Sequence, residues 1–96
     1  MLKIINMPRP QKHRKCKCSP TAGYFKPRGI PMGLLKEVLL AKDELEAIKL
    51  ADFDNLSHEA SAEKMQISRA TFGRILQRAR FKISDSIVNG KAIKII

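Results

Sequence analysis

Two short stretches of this 96-residue sequence carry side chains that could do chemistry or bind a charged partner. The first is "HRKCKC", in which His13, Cys16 and Cys18 offer three soft metal ligands within six residues. Neighbouring Lys and Arg favour the thiolate form of cysteine, which binds metals and is readily oxidised. A closed structural zinc site needs four ligands, commonly from two CxxC-like pairs. A basic surface loop with two thiols therefore remains the favoured interpretation, and we expect no cofactor.

The second stretch, "QISRATFGRILQRARFK" at residues 66–82, carries five positive charges and no negative one, with apolar residues at helical spacing. Because like charges repel on one helix, we infer that the compensating charge lies on another molecule. Arg can make paired hydrogen bonds to guanine and Gln to adenine in the major groove, and small residues permit a close approach. The candidate base-facing residues are Arg69, Ala70, Gly73, Arg74 and Gln77.

A second set of residues is suited to DNA phosphates rather than to bases. Basic and hydroxyl side chains, together with the amides at helix N-termini, supply most contacts to phosphate oxygens. The candidate phosphate contacts are Ser57, His58, Lys64, Ser68, Thr71, Arg78 and Arg80.

The elements that must position these residues are helices. Acids early in "KDELEAIKLADFD" suit the positive end of a helix dipole, which predicts a helix over about 42–53, with Leu45 and Ile48 on its apolar stripe. Ser57 and Ser68 are suitable N-caps for helices at about 58–65 and from Arg69 onwards. At 100° per residue, one narrow stripe of the last helix contains Phe72, Ile75, Leu76, Ala79 and Ile83.

A tight turn joins the last two helices. Ala62 is small enough for one helix to cross the other, and Ile67 supplies an apolar residue at the turn. The recognition segment is predicted at about 69–83, and Asn89-Gly90 is predicted to end the helix. Two helices so arranged, the second one basic, are typical of a helix-turn-helix.

The remaining segments are less regular. Residues 1–33 are predicted to form a basic, Pro- and Gly-rich arm packed on the body, and residues 34–96 the helical domain. "LLKEVLL" could be a strand or a helix start. "KAIKII" and "LKII" read as strands that could pair with each other, with "EVLL" or with a partner chain. The predicted fold class is mainly α, a three-helix helix-turn-helix with short terminal strands.

Charge favours a polyanionic partner. The net charge is +10, and residues 1–36 hold nine Lys or Arg and no acid. The arm could follow phosphates or enter a minor groove, or it could be a solvated basic tail. The sequence has no apolar stretch of membrane-spanning length and no apolar core of a secretory signal at its start, so we expect a cytoplasmic protein without a membrane partner.

Four segments together, "FKPRGIPMGLLKEVLL", "DELEAIKLAD", "LSHEASAEKMQISRATFGRIL" and "NGKAIKI", resemble the domain of unknown function 134 family, also called uncharacterised protein family 0251. The resemblance implies a DNA-binding protein with a helix-turn-helix at roughly 57–80, similar to region four of bacterial sigma factors, and a role in transcription. RNA polymerase is a further candidate partner. Three positions depart from the family pattern in the first helix, His58, Ala60 and Ser61. Gln66 replaces the usual turn glycine, which predicts a non-glycine residue with positive φ.

Three further expectations concern function. No catalytic constellation is visible and the acids are expected on helix surfaces, so we predict that the protein is not an enzyme. The alternative to a DNA-binding regulator is a protein-interaction or metal- and redox-linked accessory protein that does not bind DNA. Because one small module reads few base pairs, we expect a homodimer, with Phe81 and the terminal strands at its interface.

Overall fold

The computed structural model describes residues 15–96, so "LKII" at residues 2–5 and His13 lie outside the described part. Three helices and a three-stranded sheet make up the fold. Among residues 15–96, no helix has the length and apolar character needed to cross a bilayer. The strands are β1 (Tyr24–Phe25), β2 (Glu37–Leu40) and β3 (Ala92–Ile95); the helices are α1 (Lys42–Ile48), α2 (His58–Met65) and α3 (Arg69–Asn89).

The first two helices have the bounds that the sequence predicts. α1 continues without a break into a π-helical segment, Lys49–Phe53, and together they cover the predicted helix at 42–53. α2 coincides with the predicted helix at 58–65. Its N-cap is Ser57, whose Oγ accepts a hydrogen bond from the Ala60 amide at 3.0 Å. Such a cap satisfies an amide that has no partner inside the helix.

α3 also begins and ends where predicted. The Oγ of Ser68 accepts the amide hydrogen of Thr71 at 3.1 Å, and Gly90 ends the helix in the left-handed region at φ 67°. α3 therefore continues past the segment 69–83 that was assigned to DNA recognition. Gln66 in the preceding turn has φ 58° and ψ 45°, which confirms the prediction of positive φ at this non-glycine position.

The core lies where α1, α2 and α3 meet. Ala62, Phe72 and Ile75 are buried in it, as predicted. Of the predicted apolar stripe of α1, Ile48 is half-buried and packs against the core, whereas Leu45 is half-buried outside the core cluster. α1 instead directs another face toward α3. The buried core cluster consists of Ala47, Leu50, Ala62, Met65, Phe72, Ile75 and Leu76.

The sheet closes one side of the helices, in the strand order β1-β3-β2. The central strand β3 is the predicted C-terminal strand, and it pairs in parallel with β2, placing Val38 opposite Ile93. On its other side it pairs antiparallel with β1, where Tyr24 is opposite Lys94. This decides among the pairings left open by the sequence for "KAIKII" and makes "LLKEVLL" a strand. The fold is thus helix-rich, as expected, with a sheet that joins the arm to the chain end.

The expectation that the acids lie on helix surfaces is wrong for α1. Asp43, Glu44 and Glu46 are all buried, with Glu44 only 2% and Glu46 only 4% exposed. The face of α1 that packs on the body therefore carries carboxylates beside Ala47. Buried carboxylates require hydrogen-bonding or charged partners, and these partners determine the charge distribution of the neighbouring surface.

Candidate nucleic-acid interface

The predicted base-facing residues share the outward face of the first turns of α3. Arg69, Ala70, Arg74 and Gln77 are exposed and Gly73 is half-buried. The opposite face of the same turns is the core, because Phe72, Ile75, Leu76 and Ala79 are buried. The helix is therefore held by its apolar face and presents the candidate residues to solvent.

The positive charges of α3 differ in how they are compensated. Arg78 and Lys82 form ion pairs with Glu44 at 3.4 Å and 2.8 Å. Arg80 donates two hydrogen bonds to Asp52, at 3.1 Å and 2.6 Å. Neither Arg69 nor Arg74 forms an ion pair with any residue in the range 15–96. The inference that all five charges are compensated on another molecule is therefore wrong for three of them.

Glu44 organises the charge at the middle of α3. Its Oε1 accepts hydrogen bonds from Lys82 Nζ at 2.8 Å and from the Ala41 amide at 2.9 Å. Burial by itself raises the pKa of Glu44, but these two donors and Arg78 outweigh it and hold the pKa below its usual value. Glu44 therefore stays ionised and pairs with both Arg78 and Lys82, so its single negative charge offsets one of their two positive charges.

Arg80 is compensated at the end of the π-helical segment. The bidentate pair with Arg80 lowers the pKa of Asp52. Since the guanidinium already has a carboxylate partner, a contact from Arg80 to phosphate would compete with this pair. Arg78, also predicted to contact phosphate, has a looser partner and a half-exposed side chain. Sequence spacing gave no sign of either pair, since the partners lie 28 and 34 residues away.

The start of α3 forms a small hydroxyl cluster beneath Arg74. The Oγ of Ser68 donates to Thr71 Oγ1 at 2.8 Å, and Arg74 Nη2 makes a long contact with the same oxygen at 3.5 Å. Ser68 is exposed and Thr71 is half-buried. Both predicted phosphate ligands therefore lie beside Arg74 at the N-terminal end of the helix, where helix amides favour anions.

The predicted phosphate contacts on α2 are arranged differently. Ser57 and Lys64 are exposed at the two ends of the helix, but His58 is half-buried. Its ring packs edge-on against Phe72, with ring centroids 5.5 Å apart and an interplanar angle of 64°. The His58 side chain thus contacts the buried core residue Phe72.

The cysteine segment lies against the helices. Cys16 is exposed and Cys18 is half-buried, while His13 lies outside the described residues. The amides of Lys17 and Cys18 both donate to Glu46 Oε1, at 3.0 Å and 2.7 Å. Within residues 15–96, no group of three or more His, Cys, Asp or Glu is placed to hold a metal ion. These hydrogen bonds to Glu46 were not predicted, because the sequence pattern indicates a solvated acid at this position.

Comparison with known proteins identifies the class to which this fold and surface belong. Residues 4–96 match the family described as "Protein of unknown function DUF134". The chain belongs to this family, which confirms the resemblance found in the sequence. A search of solved structures gave no significant match.

Individual relatives support the same assignment. The chain is 53% identical over 89 residues to a UPF0251 protein of Desulfosudis oleivorans, an alignment that covers 93% of this chain and 64% of that protein. It is 52% identical to a UPF0251 protein of Caldanaerobacter subterraneus, with 93% of this chain and 75% of the relative covered. A Moorella thermoacetica UPF0251 protein is 49% identical, with 60% of its length covered. The chain therefore spans only part of the length of these relatives.

Proposed function

We propose that this protein binds double-stranded DNA in a sequence-specific manner and regulates transcription. α2, the turn at Gln66 and α3 act as a helix-turn-helix, with the N-terminal half of α3 in the major groove. Arg69 and Arg74 read base edges, and Ala70, Gly73 and Gln77 line the same approach.

One observation carries this proposal: the positive side chains of α3 that have no ion-pair partner among residues 15–96 both lie at its N-terminal end. Carboxylates of the α1 region pair with Arg78, Arg80 and Lys82, whereas Arg69 and Arg74 have no ion-pair partner among residues 15–96. If α3 were only a solvated basic face, we would expect no systematic difference in ion pairing between these two arginines and the other positive residues of the helix. Unpaired guanidiniums on an exposed face beside a helix N-terminus are well placed for bases and phosphates.

The small residues support the same orientation. Ala70 is exposed and Gly73 is half-buried on the face that carries the two arginines. Apart from its two chain neighbours and the adjacent backbone of α3, a methyl group added at Gly73 would meet no atom of the described chain within 4 Å. Close packing inside the protein therefore does not require glycine at this position. A closely approaching base pair supplies a reason for the small side chain.

We also propose that two copies act together. Phe81 and Val88, seven residues or about two helical turns apart on the outward face of α3, are 69% and 79% exposed. Ile87, beside Phe25 of β1, adds to this apolar surface. Exposed apolar side chains grouped on one surface mark protein contacts. A dimer through the C-terminal half of α3 doubles the number of base pairs read and leaves Arg69 at the far end of the helix, with Arg74, which lines one cleft with Phe81, at the border of the interface.

Selection of bound sequences from a pool of random duplexes tests the proposed function. We expect the full chain to enrich a short motif, repeated when two copies bind, and to prefer it over a scrambled duplex at about 0.15 M salt by the ratio of 10³ or more that is typical of specific binders. Failure to retard any duplex even at low salt would exclude DNA binding and leave a protein-interaction role.

A further inference from the structure

A buried carboxylate fixes the position of the basic segment that precedes β1. Glu46 Oε1 accepts the consecutive amides of Lys17 and Cys18, and the Lys15 amide donates to the carbonyl oxygen of Met65 at 3.2 Å. The segment is therefore bonded both to α1 and to the last residue of α2. An exposed loop held by backbone bonds to a residue that is only 4% exposed has a fixed position on the surface.

These backbone hydrogen bonds, with Glu46 as the anchor residue, place lysines of the segment beside the turn that leads into α3. Lys15, Lys17 and Lys64 line one surface cleft together with Gln66, the left-handed turn residue that precedes Ser68 and Arg69. The cleft thus extends from the arm, past the end of α2, to the beginning of the proposed recognition helix.

The charge of the cleft is positive where the cleft is exposed. Within residues 15–96, none of Lys15, Lys17 and Lys64 forms an ion pair. Lys49, in the same cleft, is paired with Asp54 at 2.7 Å. Glu46 is covered by the arm amides, so the exposed acids among the lining residues are Asp54, which pairs with Lys49, and Glu63. Residues 1–14, which precede the anchor in the sequence, add four Lys or Arg and no acid.

We infer that Lys15, Lys17 and Lys64 form a phosphate-binding patch that contacts the DNA backbone next to the major-groove segment read by α3, and that Glu46 is the residue that positions it. This inference rests on the proposed function and adds a second, sequence-independent contact to it. Lysine side chains contact phosphate as point charges and contribute to affinity rather than to base discrimination.

The double variant K15Q/K17Q tests the patch without disturbing the core, since both side chains are exposed. Each phosphate contact contributes about 0.9 to the slope of log K against log salt concentration, so we expect the slope to become shallower by about 2. Binding to selected and scrambled duplexes should weaken by the same factor. The control is K36Q/K94Q, an exposed lysine just before β2 and an exposed lysine of β3, which should leave the slope unchanged. An unchanged slope in K15Q/K17Q would overturn the inference.

Two acid-to-alanine variants test the anchor. Glu46→Ala and Glu63→Ala change the net charge equally, and both residues line the cleft. Removal of the exposed Glu63 should strengthen DNA binding or leave it unchanged. Removal of Glu46 should weaken it despite the gain in positive charge, because the lysines lose their fixed position. In the Glu46→Ala background, K15Q/K17Q should then have a smaller effect than in the original chain.

The outcomes separate this inference from the function on which it rests. If Glu46→Ala strengthens binding as Glu63→Ala does, Glu46 has no positioning role. If Glu46→Ala does not fold, K15Q/K17Q still decides whether the patch contacts phosphate. If the slope is unchanged in K15Q/K17Q while Arg74→Ala abolishes base discrimination, the patch is wrong and the DNA-binding function stands. If no duplex binds the original chain, both are wrong.

Discussion

Glu44 in α1 and Lys82 in α3, 38 residues apart in the sequence, are joined by a 2.8 Å hydrogen bond between Oε1 and Nζ. The same ammonium group donates to the carbonyl oxygen of Leu39 in β2 at 2.7 Å. One lysine thus links two helices to the sheet, and its charge is satisfied inside the protein. This link helps to hold α3 in place and leaves only the N-terminal arginines of that helix without an ion pair inside the described chain.

Loss of the Glu44 carboxylate should destabilise the fold. We expect Glu44→Gln to lower the free energy of unfolding by about 1.5–3 kcal/mol at pH 7, the range for hydrogen bonds to charged groups. Urea unfolding followed by circular dichroism measures this. Glu59→Gln, an exposed acid in the first turn of α2, is the control and should change stability little. An equal effect of the two substitutions would contradict the role given to Glu44.

Stability should also fall in acid, in a direction set by the same group. Because the pKa of Glu44 is lowered in the folded state, its contribution is fully present above its ordinary pKa of 4.5 and is lost as the pH falls through the lower folded value. Asp52 and Asp85, whose pKa values are lowered by Arg80 and Lys91, act in the same direction. The difference in stability between the original chain and Glu44→Gln should therefore shrink below about pH 4.5. A difference that grew on acidification would contradict this linkage.

Ser61 should be a destabilising residue in the core of the helix pair. Its side chain is fully buried, and its Oγ has no hydrogen-bond partner among the described residues. A buried hydroxyl without a partner costs about 1–3 kcal/mol, so Ser61→Ala should raise the free energy of unfolding by up to that amount. Ser57→Ala, the same change at the N-cap of the same helix, should lower it by about 1 kcal/mol. Thermal unfolding of both variants should give shifts of opposite sign.

The turn between α2 and α3 should become more stable with glycine. Gln66 has φ 58°, a conformation that glycine adopts without steric cost. We expect Gln66→Gly to stabilise the protein by about 1 kcal/mol. Gln77→Gly, the same substitution inside α3, should destabilise it by a similar amount. If Gln66→Gly destabilises the fold, another contact of the glutamine side chain outweighs the backbone strain.

The sequence was sufficient where the controlling interactions are local. The caps at Ser57 and Ser68 and the apolar stripe of α3 depend on residues within four positions of one another, whereas the positive φ of Gln66 was implied by the family resemblance. These features gave the bounds of the helices and the exposed face that carries Arg69 and Arg74.

The features that the sequence did not reveal depend on distant partners. Glu46 accepts hydrogen bonds from arm amides 28 and 29 residues away in the sequence. Glu44 accepts one from Lys82, which is 38 residues away. Acids early in a helix read as solvated charges favoured by the dipole, so α1 was expected to turn Leu45 and Ile48 inward. Partners supplied by other elements made it favourable to bury the carboxylates instead.

If two copies associate through the outward face of α3, a negative charge introduced on that face should dissociate the dimer into monomers. Phe81→Asp should give a monomer in analytical ultracentrifugation at concentrations where the original chain is a dimer, with an unchanged circular dichroism spectrum, since Phe81 is largely exposed. Phe53→Asp, another exposed phenylalanine that lies in the π-helical segment, is the control and should not change the mass. A monomeric original chain, both free and on DNA, would contradict the dimer.

The central claim is that Arg74 reads bases while Arg80, on the same helix, does not. Arg74→Ala and Arg80→Ala remove the same charge, but Arg80 is paired with Asp52 and Arg74 is exposed without an ion pair to residues 15–96. The decisive measurement is the binding of both variants to a selected duplex and a scrambled one at a single salt concentration. We predict that Arg74→Ala loses about 1–3 kcal/mol on the selected duplex and much less on the scrambled one, whereas Arg80→Ala keeps the discrimination. Equal losses for Arg74→Ala on both duplexes, or the same pattern for both variants, would contradict the account.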